Sequence, residues 1–182
     1  GMTLREMIFE IGGGVKSGRE FKAVQLGGPS GGCLPMELID TRIDYEDLKA
    51  TGAIMGSGGM VSVDDATCMV DLARYFLTFT QEESCGKCVP CRIGTRKLLN
   101  ILTKISRGRA TEHDLEKLDS LCETIRLGSL CALGQTAPNP AQTTMKYFKD
   151  EYMAHVLDHK CPAGVCNMDS TEHAAVSEMA MA

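Results

Sequence analysis

Tryptophan is absent from this chain of 182 residues, and aromatic side chains of all kinds amount to 5% of it. Its interior has to be filled by aliphatic side chains, by cysteine and by eleven methionines, whose helical spacing fits core filling better than a cofactor box. No apolar run approaches the roughly 20 residues that a membrane span needs, so a membrane role is expected only through partners. Positive charge is not in excess. The 19 basic and 24 acidic side chains give a formal net charge of -5, which removes the electrostatic reason to expect nucleic acid. A signal peptide is lacking as well, because Gly1-Met2-Thr3-Leu4-Arg5-Glu6 has no basic stretch followed by an apolar one. A cytoplasmic setting follows as the expectation. The glycine-rich stretch from Gly52 to Met60 lacks the lysine of a P-loop and the context of a dinucleotide fingerprint, so it reads as a turn. No serine-histidine-acid set and no paired carboxylates suggest catalysis by this chain alone.

What is present is cysteine. Nine of them in a reducing compartment point to metal binding or redox chemistry more than to disulfides, and the odd number argues against a fully paired framework. The remaining composition, 43% hydrophobic and 24% charged, is that of an ordinary soluble protein. Its length allows two small modules and a tail. Gly1 ahead of Met2 reads as a remnant of tag removal.

Thr3 and Glu6 have capping-box spacing, and Leu4, Met7, Ile8 and Ile11 recur on one helical face. Strand patterns follow at Phe21 to Leu26, Leu34 to Ile39 and Met60 to Val63, with one or two helical turns from Tyr45 to Ala50. Residues 1–63 therefore read as a small α+β unit. From Asp64 the period becomes helical. A first helix carries Met69, Val70, Ala73, Phe76 and Leu77, and a second runs from Pro90 to about Arg107. A third starts at Thr111, with Asp114 three residues on, and runs to Gly128. The fourth starts at Asn139-Pro140 and continues through Met145, Phe148, Tyr152, Val156 and Leu157. Short connections favour an antiparallel four-helix bundle over residues 64–160. Residues 161–182 lose all periodicity and are expected to be an unstructured tail.

The chemistry lies in Ser84-Cys85-Gly86-Lys87-Cys88-Val89-Pro90-Cys91. Three thiols at C-x2-C-x2-C spacing converge on one inorganic centre, and a fourth is needed. In an up-down bundle the loop joining helices one and two lies at the same end as the loop joining three and four, which carries Cys131. Cys85, Cys88, Cys91 and Cys131 are thus the expected ligands of one 4Fe-4S cluster. Lys87, Arg92 and Arg96 supply positive charge nearby, and glycines 86, 94, 128 and 134 allow close backbone approach. Zinc is the rival occupant, but zinc sites usually show two separated C-x2-C pairs. Cys68 and Cys122 fall in helices and read as buried apolar residues, while Cys33 sits at a turn or strand start. Cys161 and Cys166 read as part of the tail, and histidines 113, 155, 159 and 173 as solvated helix surface.

These residues resemble a known family. Glu83-Ser84-Cys85-Gly86-Lys87-Cys88-Val89-Pro90-Cys91-Arg92-Ile93-Gly94, with Ser129-Leu130-Cys131-Ala132-Leu133-Gly134, is similar to the C-terminal part of the flavin-bearing, NADH-oxidising subunit of respiratory complex I. It is equally similar to relatives in NAD(P)-linked and bifurcating hydrogenases. Gly27-Gly28-Pro29-Ser30-Gly31-Gly32-Cys33 and Gly52 to Gly59 resemble the soluble-ligand-binding β-grasp module that precedes the cluster domain there. The resemblance implies a partial ubiquitin-like β-grasp followed by the iron-sulfur bundle, with the four cysteines as ligands. It implies electrons taken one at a time from FMN and passed to clusters of partner subunits, among them a thioredoxin-like 2Fe-2S subunit. The family's FMN and NAD(H) domain would lie upstream of Gly1, so this chain alone is not expected to oxidise NADH. The rival from another class is a partner-binding scaffold in which the cysteines hold structural zinc or nothing.

Overall fold

The computed structural model describes residues 1–16 and 18–168. Thr3 and Glu6 form the expected capping box: the Glu6 amide donates to Thr3 Oγ1 at 3.2 Å, and the Thr3 amide to Glu6 Oε2 at 2.8 Å. The helix they open includes a π-helical turn, Glu6–Ile11, and buries Leu4 and Ile8.

The sheet is antiparallel, with β1 (Phe21–Leu26) in the centre, β2 (Gly32–Pro35) on one side and β3 (Met60–Asp64) on the other. Val24 pairs with Leu34 and with Ser62. Ala23 through Leu26 are all buried because both faces of β1 are covered. Val24 and Leu26 point into a core with Leu4, Ile8, Leu34 and Leu48, whereas Ala23 points the other way, towards Cys33, Val63 and Met69. The turn between β1 and β2 requires glycine at position 31, since a Cβ there would collide with the Leu26 carbonyl. Helix α1 (Tyr45–Thr51) is capped by Asp44, whose Oδ1 accepts the Asp47 amide at 2.8 Å. The second expected strand is shorter than its pattern: beyond Pro35 the chain turns into a 3-10 segment, Met36–Leu38.

The helical part consists of α2 (Met69–Glu82), α3 (Thr95–Ser106), α4 (Glu112–Gly128), α5 (Ala132–Thr136), α6 (Asn139–Tyr147) and α7 (Lys149–Leu157). Helix α2 buries the face anticipated for it, Met69, Val70, Ala73, Phe76 and Leu77. Helix α4 starts on the Thr111/Asp114 capping box. The pattern from Asn139 to Leu157 suggests one helix, yet the chain breaks at Phe148 (φ -125°, ψ 39°). No glycine or proline causes the break. The Phe148 ring leaves the helical course to pack with Ala23, Cys33, Val63 and Met69 between sheet and helices.

The seam is held by polar contacts of long sequence range. The Cys33 amide donates to Thr143 Oγ1 at 2.9 Å, Asn139 Nδ2 to the Ser30 carbonyl at 3.0 Å, and Tyr147 OH to the Thr51 carbonyl at 2.6 Å. Glu151 on α7 joins three elements. Its Oε1 pairs with Lys22 of β1 at 2.5 Å, and its Oε2 accepts the Met69 amide that opens α2 at 3.0 Å.

The helical core is aliphatic, apart from Tyr152, which is fully buried and hydrogen-bonded to Thr144 Oγ1 at 2.8 Å. Burial pushes its phenol pKa far up, so it stays a neutral donor. Thr144→Val keeps the shape but leaves that hydroxyl without its partner. The expected loss is about 1–3 kcal/mol in a urea titration. An unchanged midpoint would contradict this assignment.

Candidate metal centres

Helix α2 ends at Glu82, and the chain then loops through Cys85 and Cys88 into a π-helical turn, Pro90–Gly94, that leads into α3. Gly86 has φ +74°, and its carbonyl accepts a hydrogen bond from the Arg92 guanidinium at 2.5 Å, tying the loop back onto the turn. Thr95 Oγ1 donates to the Cys91 carbonyl at 2.7 Å, and Ser84 Oγ lies 3.2 Å from the Cys91 sulfur. Cys131 precedes α5 in the loop after α4, where Gln135 Nε2 holds the Ser129 carbonyl at 3.0 Å. Gly134 is needed for this approach: a Cβ there would lie 2.5 Å from Ser129 Oγ and 3.1 Å from the Cys91 Cβ.

The two loops bring Cys85, Cys88 and Cys131 within electrostatic reach of Cys91. Burial raises the Cys91 thiol pKa, and the neighbouring sulfurs of Cys88, Cys131 and Cys85 raise it further. Cys88 is lowered, chiefly by hydrogen bonding from the Leu130 amide and then from that of Cys91. Cys85 and Cys131 are exposed, Cys88 is half-buried and Cys91 is buried. Among the described residues no three of these sulfurs belong to a set with all ligand atoms within 4.8 Å of one another. A cubane takes one thiolate on each of its four irons, so its ligand sulfurs stand farther apart than those around a single ion. Four thiols with inward-pointing amides therefore fit an iron-sulfur cluster.

A second group does meet the tight criterion. Cys68, His155, Cys161 and Cys166 have ligand atoms that all lie within 4.8 Å of one another. Three of these differ from the expectations raised by the sequence. His155 is fully buried and not a surface residue, Cys68 faces other ligating atoms and not only apolar neighbours, and Cys161 is buried against the helical core. Residues 161–168 run as turns and bends that carry Cys161 and Cys166 back to the helices, while residues 169–182, including His173, lie outside the described residues. Cys68 is driven down to about 4, first by the thiol of Cys166 and also by His155, against its burial. Burial works to lower His155, but hydrogen bonds with Cys68 and the Glu151 carbonyl outweigh it and lift the ring to about 9. Cys122 and Cys33 do behave as buried apolar residues, their thiols pushed up by burial, Cys33 to about 12. His113 is exposed beside Glu116, and the Gly52–Gly59 stretch forms turns.

Residues 71–155 match the NADH-ubiquinone oxidoreductase-F iron-sulfur binding region. The chain is 57% identical over 166 residues to the NADP-reducing hydrogenase subunit HndC of Solidesulfovibrio fructosivorans, covering 91% of this chain and 34% of that protein. It is 40% identical over 162 residues to an F-type subunit of the NADH-quinone oxidoreductase of Rhizobium meliloti, covering 89% and 38%. A crystal structure of an NAD+-reducing [NiFe]-hydrogenase in the H2-reduced state superimposes with a TM-score of 0.75 at 30% identity, covering all of this chain and 30% of the other. The chain thus spans about a third of the length of these relatives. No helix among the described residues is long and apolar enough to cross a membrane.

Proposed function

We propose that this chain is the electron-relay part of an NADH dehydrogenase or NAD(P)-linked hydrogenase subunit, with Cys85, Cys88, Cys91 and Cys131 holding its 4Fe-4S cluster. When bound, the cluster supplies one-electron transfer between FMN and the clusters of partner subunits. The observation that carries the reading is the meeting of Cys131 with the C-x2-C-x2-C loop, near enough that its thiol acts on the charge of Cys91. Within this reading the four thiols give up their protons to become ligands. The amides of Leu130 and Cys91 hold negative charge on Cys88, and the buried Cys91 keeps that side of the centre from water. The exposed Cys85 and Cys131 leave the opposite side open to a redox partner.

The division into a partial β-grasp over residues 1–63 and an antiparallel four-helix iron-sulfur domain over 64–160 belongs to the same proposal. It is supported by the three-stranded sheet and by the run of helices after it, in which α6 and α7 stand where one helix was expected and the short α5 follows Cys131. So do a thioredoxin-like 2Fe-2S partner, a cytoplasmic location and NADH oxidation through FMN in the whole subunit, which rest on the family resemblance. Electron paramagnetic resonance on anaerobically purified and reduced protein is the test. The relay reading expects the rhombic signal of a reduced 4Fe-4S cluster. A chain reconstituted under iron and sulfide that stays silent on reduction and holds zinc at the four cysteines would establish the scaffold reading instead.

A further inference from the structure

Ser84, Thr95, Ser129 and Thr136 bring side-chain hydroxyls to the loops and helix turns around the cluster cysteines. The two threonines are spent within their own helical turns. Thr95 Oγ1 donates to the Cys91 carbonyl at 2.7 Å, and Thr136 Oγ1 to the Ala132 carbonyl at 2.7 Å. The Arg92 guanidinium is committed as well, since it closes on the Gly86 carbonyl at 2.5 Å. The two serines differ from these.

Ser84 Oγ accepts the Gly86 amide at 3.3 Å and lies 3.2 Å from the Cys91 sulfur. Once Cys91 is a ligand its sulfur has no proton left to give, so the hydroxyl is the donor of this pair. The amide that bonds its oxygen strengthens that donation.

Ser129 is 4% exposed. Its amide donates to the Ile125 carbonyl and its carbonyl accepts Gln135 Nε2, which leaves the hydroxyl over. Among the described residues, two buried side-chain polar atoms have no hydrogen-bond partner, Gln25 Oε1 and Ser129 Oγ. Gln25 still uses its Nε2, on the Gly28 carbonyl at 3.0 Å. The Ser129 hydroxyl has no such second contact, and burying it that way is unfavourable unless an acceptor arrives. That acceptor lies towards the cluster thiols. A Cβ on Gly134 would stand 2.5 Å from Ser129 Oγ and 3.1 Å from the Cys91 Cβ, so the hydroxyl and Cys91 flank the same point of α5. The thiol of Cys88 is lowered first by the Leu130 amide and, in smaller part, by the Ser129 hydroxyl.

Resting on the relay reading above, we propose that the hydroxyls of Ser84 and Ser129 donate hydrogen bonds to sulfurs on the Cys91 and Cys88 side of the 4Fe-4S cluster and raise its reduction potential. A hydrogen bond to sulfur strengthens when the cluster carries the extra electron, so it favours the reduced state. The cluster gains one electron and no proton, and both hydroxyls keep theirs.

The test is a redox titration of the whole chain, reconstituted without oxygen and followed by electron paramagnetic resonance, with iron and sulfide counted in every sample. Ser84→Ala and Ser129→Ala should each keep about four irons per chain and lower the ratio of reduced to oxidised cluster about tenfold at a fixed potential. For one electron that is a midpoint about 59 mV more negative. The double variant should shift by about the sum of the two. Ser84→Thr and Ser129→Thr keep a hydroxyl and should stay near the wild-type midpoint, a rescue that a merely structural role does not produce. Because a change at a buried position can block assembly, the reduced wild-type cluster is also studied by electron-nuclear double resonance. The hydroxyl protons should appear there as exchangeable couplings, one fewer in Ser84→Ala. A wild-type chain that takes up no iron-sulfur cluster would sink the relay reading and this proposal with it. Alanine variants that carry the full cluster at the wild-type midpoint would overturn the proposal alone.

Discussion

Cys131→Ala is expected to abolish cluster assembly: iron and labile sulfide should fall from about four each per chain to near zero, with loss of the visible absorbance of a 4Fe-4S centre. Cys88→Ala should do the same, since it removes the thiol that the Leu130 and Cys91 amides serve. The control is Cys122→Ala. That side chain is fully buried in the aliphatic core, so its loss should leave iron and sulfide intact and cost roughly 1 kcal/mol of stability. Equal loss of iron in all three variants would mean that iron content tracks folding and not ligation. The separation between them assigns the roles.

The second large effect is expected at Glu151. Its ion pair with Lys22 is shielded, with side-chain exposures of 13% and 18%, and the same carboxylate satisfies the Met69 amide. Glu151→Ala leaves the half-buried Lys22 ammonium with the Thr67 carbonyl but no counter-charge, and a helix-opening amide without its acceptor. Loss of one partner of a buried pair costs roughly 3–5 kcal/mol, and the residual solvent access here puts the expectation near the lower end, about 3 kcal/mol. Lys22→Met combined with Glu151→Leu should recover part of that loss, because no charge is then stranded. Denaturation midpoints of the two variants check this. A single variant as stable as wild type would show that the pair contributes nothing to the joint between sheet and helices.

Much of the architecture was legible because local signals agreed with the tertiary outcome. The Thr3/Glu6 and Thr111/Asp114 boxes opened their helices, and the apolar stripe of α2 became its buried face. The spacing of Cys85, Cys88 and Cys91 singled out that loop, and the structure brings the loop of Cys131 close enough to act on Cys91. Two things could not be read. The interruption at Phe148 carries no glycine or proline, because its cause is a ring packing across to β1 and β3. The second thiol group has its members 87 and 98 positions apart along the chain from Cys68, so no spacing rule connects them. His155 looked like surface because its helix has polar residues on several sides, whereas Cys68 at the start of α2 and the chain beyond Lys160 close over it. The short interval from Cys161 to Cys166 was the one local hint, and it gained meaning only when the fold supplied Cys68 and His155.

The central claim is that one iron-sulfur cluster sits among four named thiols, and diffraction collected at the iron absorption edge from anaerobic crystals tests it most directly. The account predicts a single compact iron peak bounded by the sulfurs of Cys85, Cys88, Cys91 and Cys131. An iron-edge map empty at that place in protein of proven iron content, or iron centred on other side chains, would contradict it.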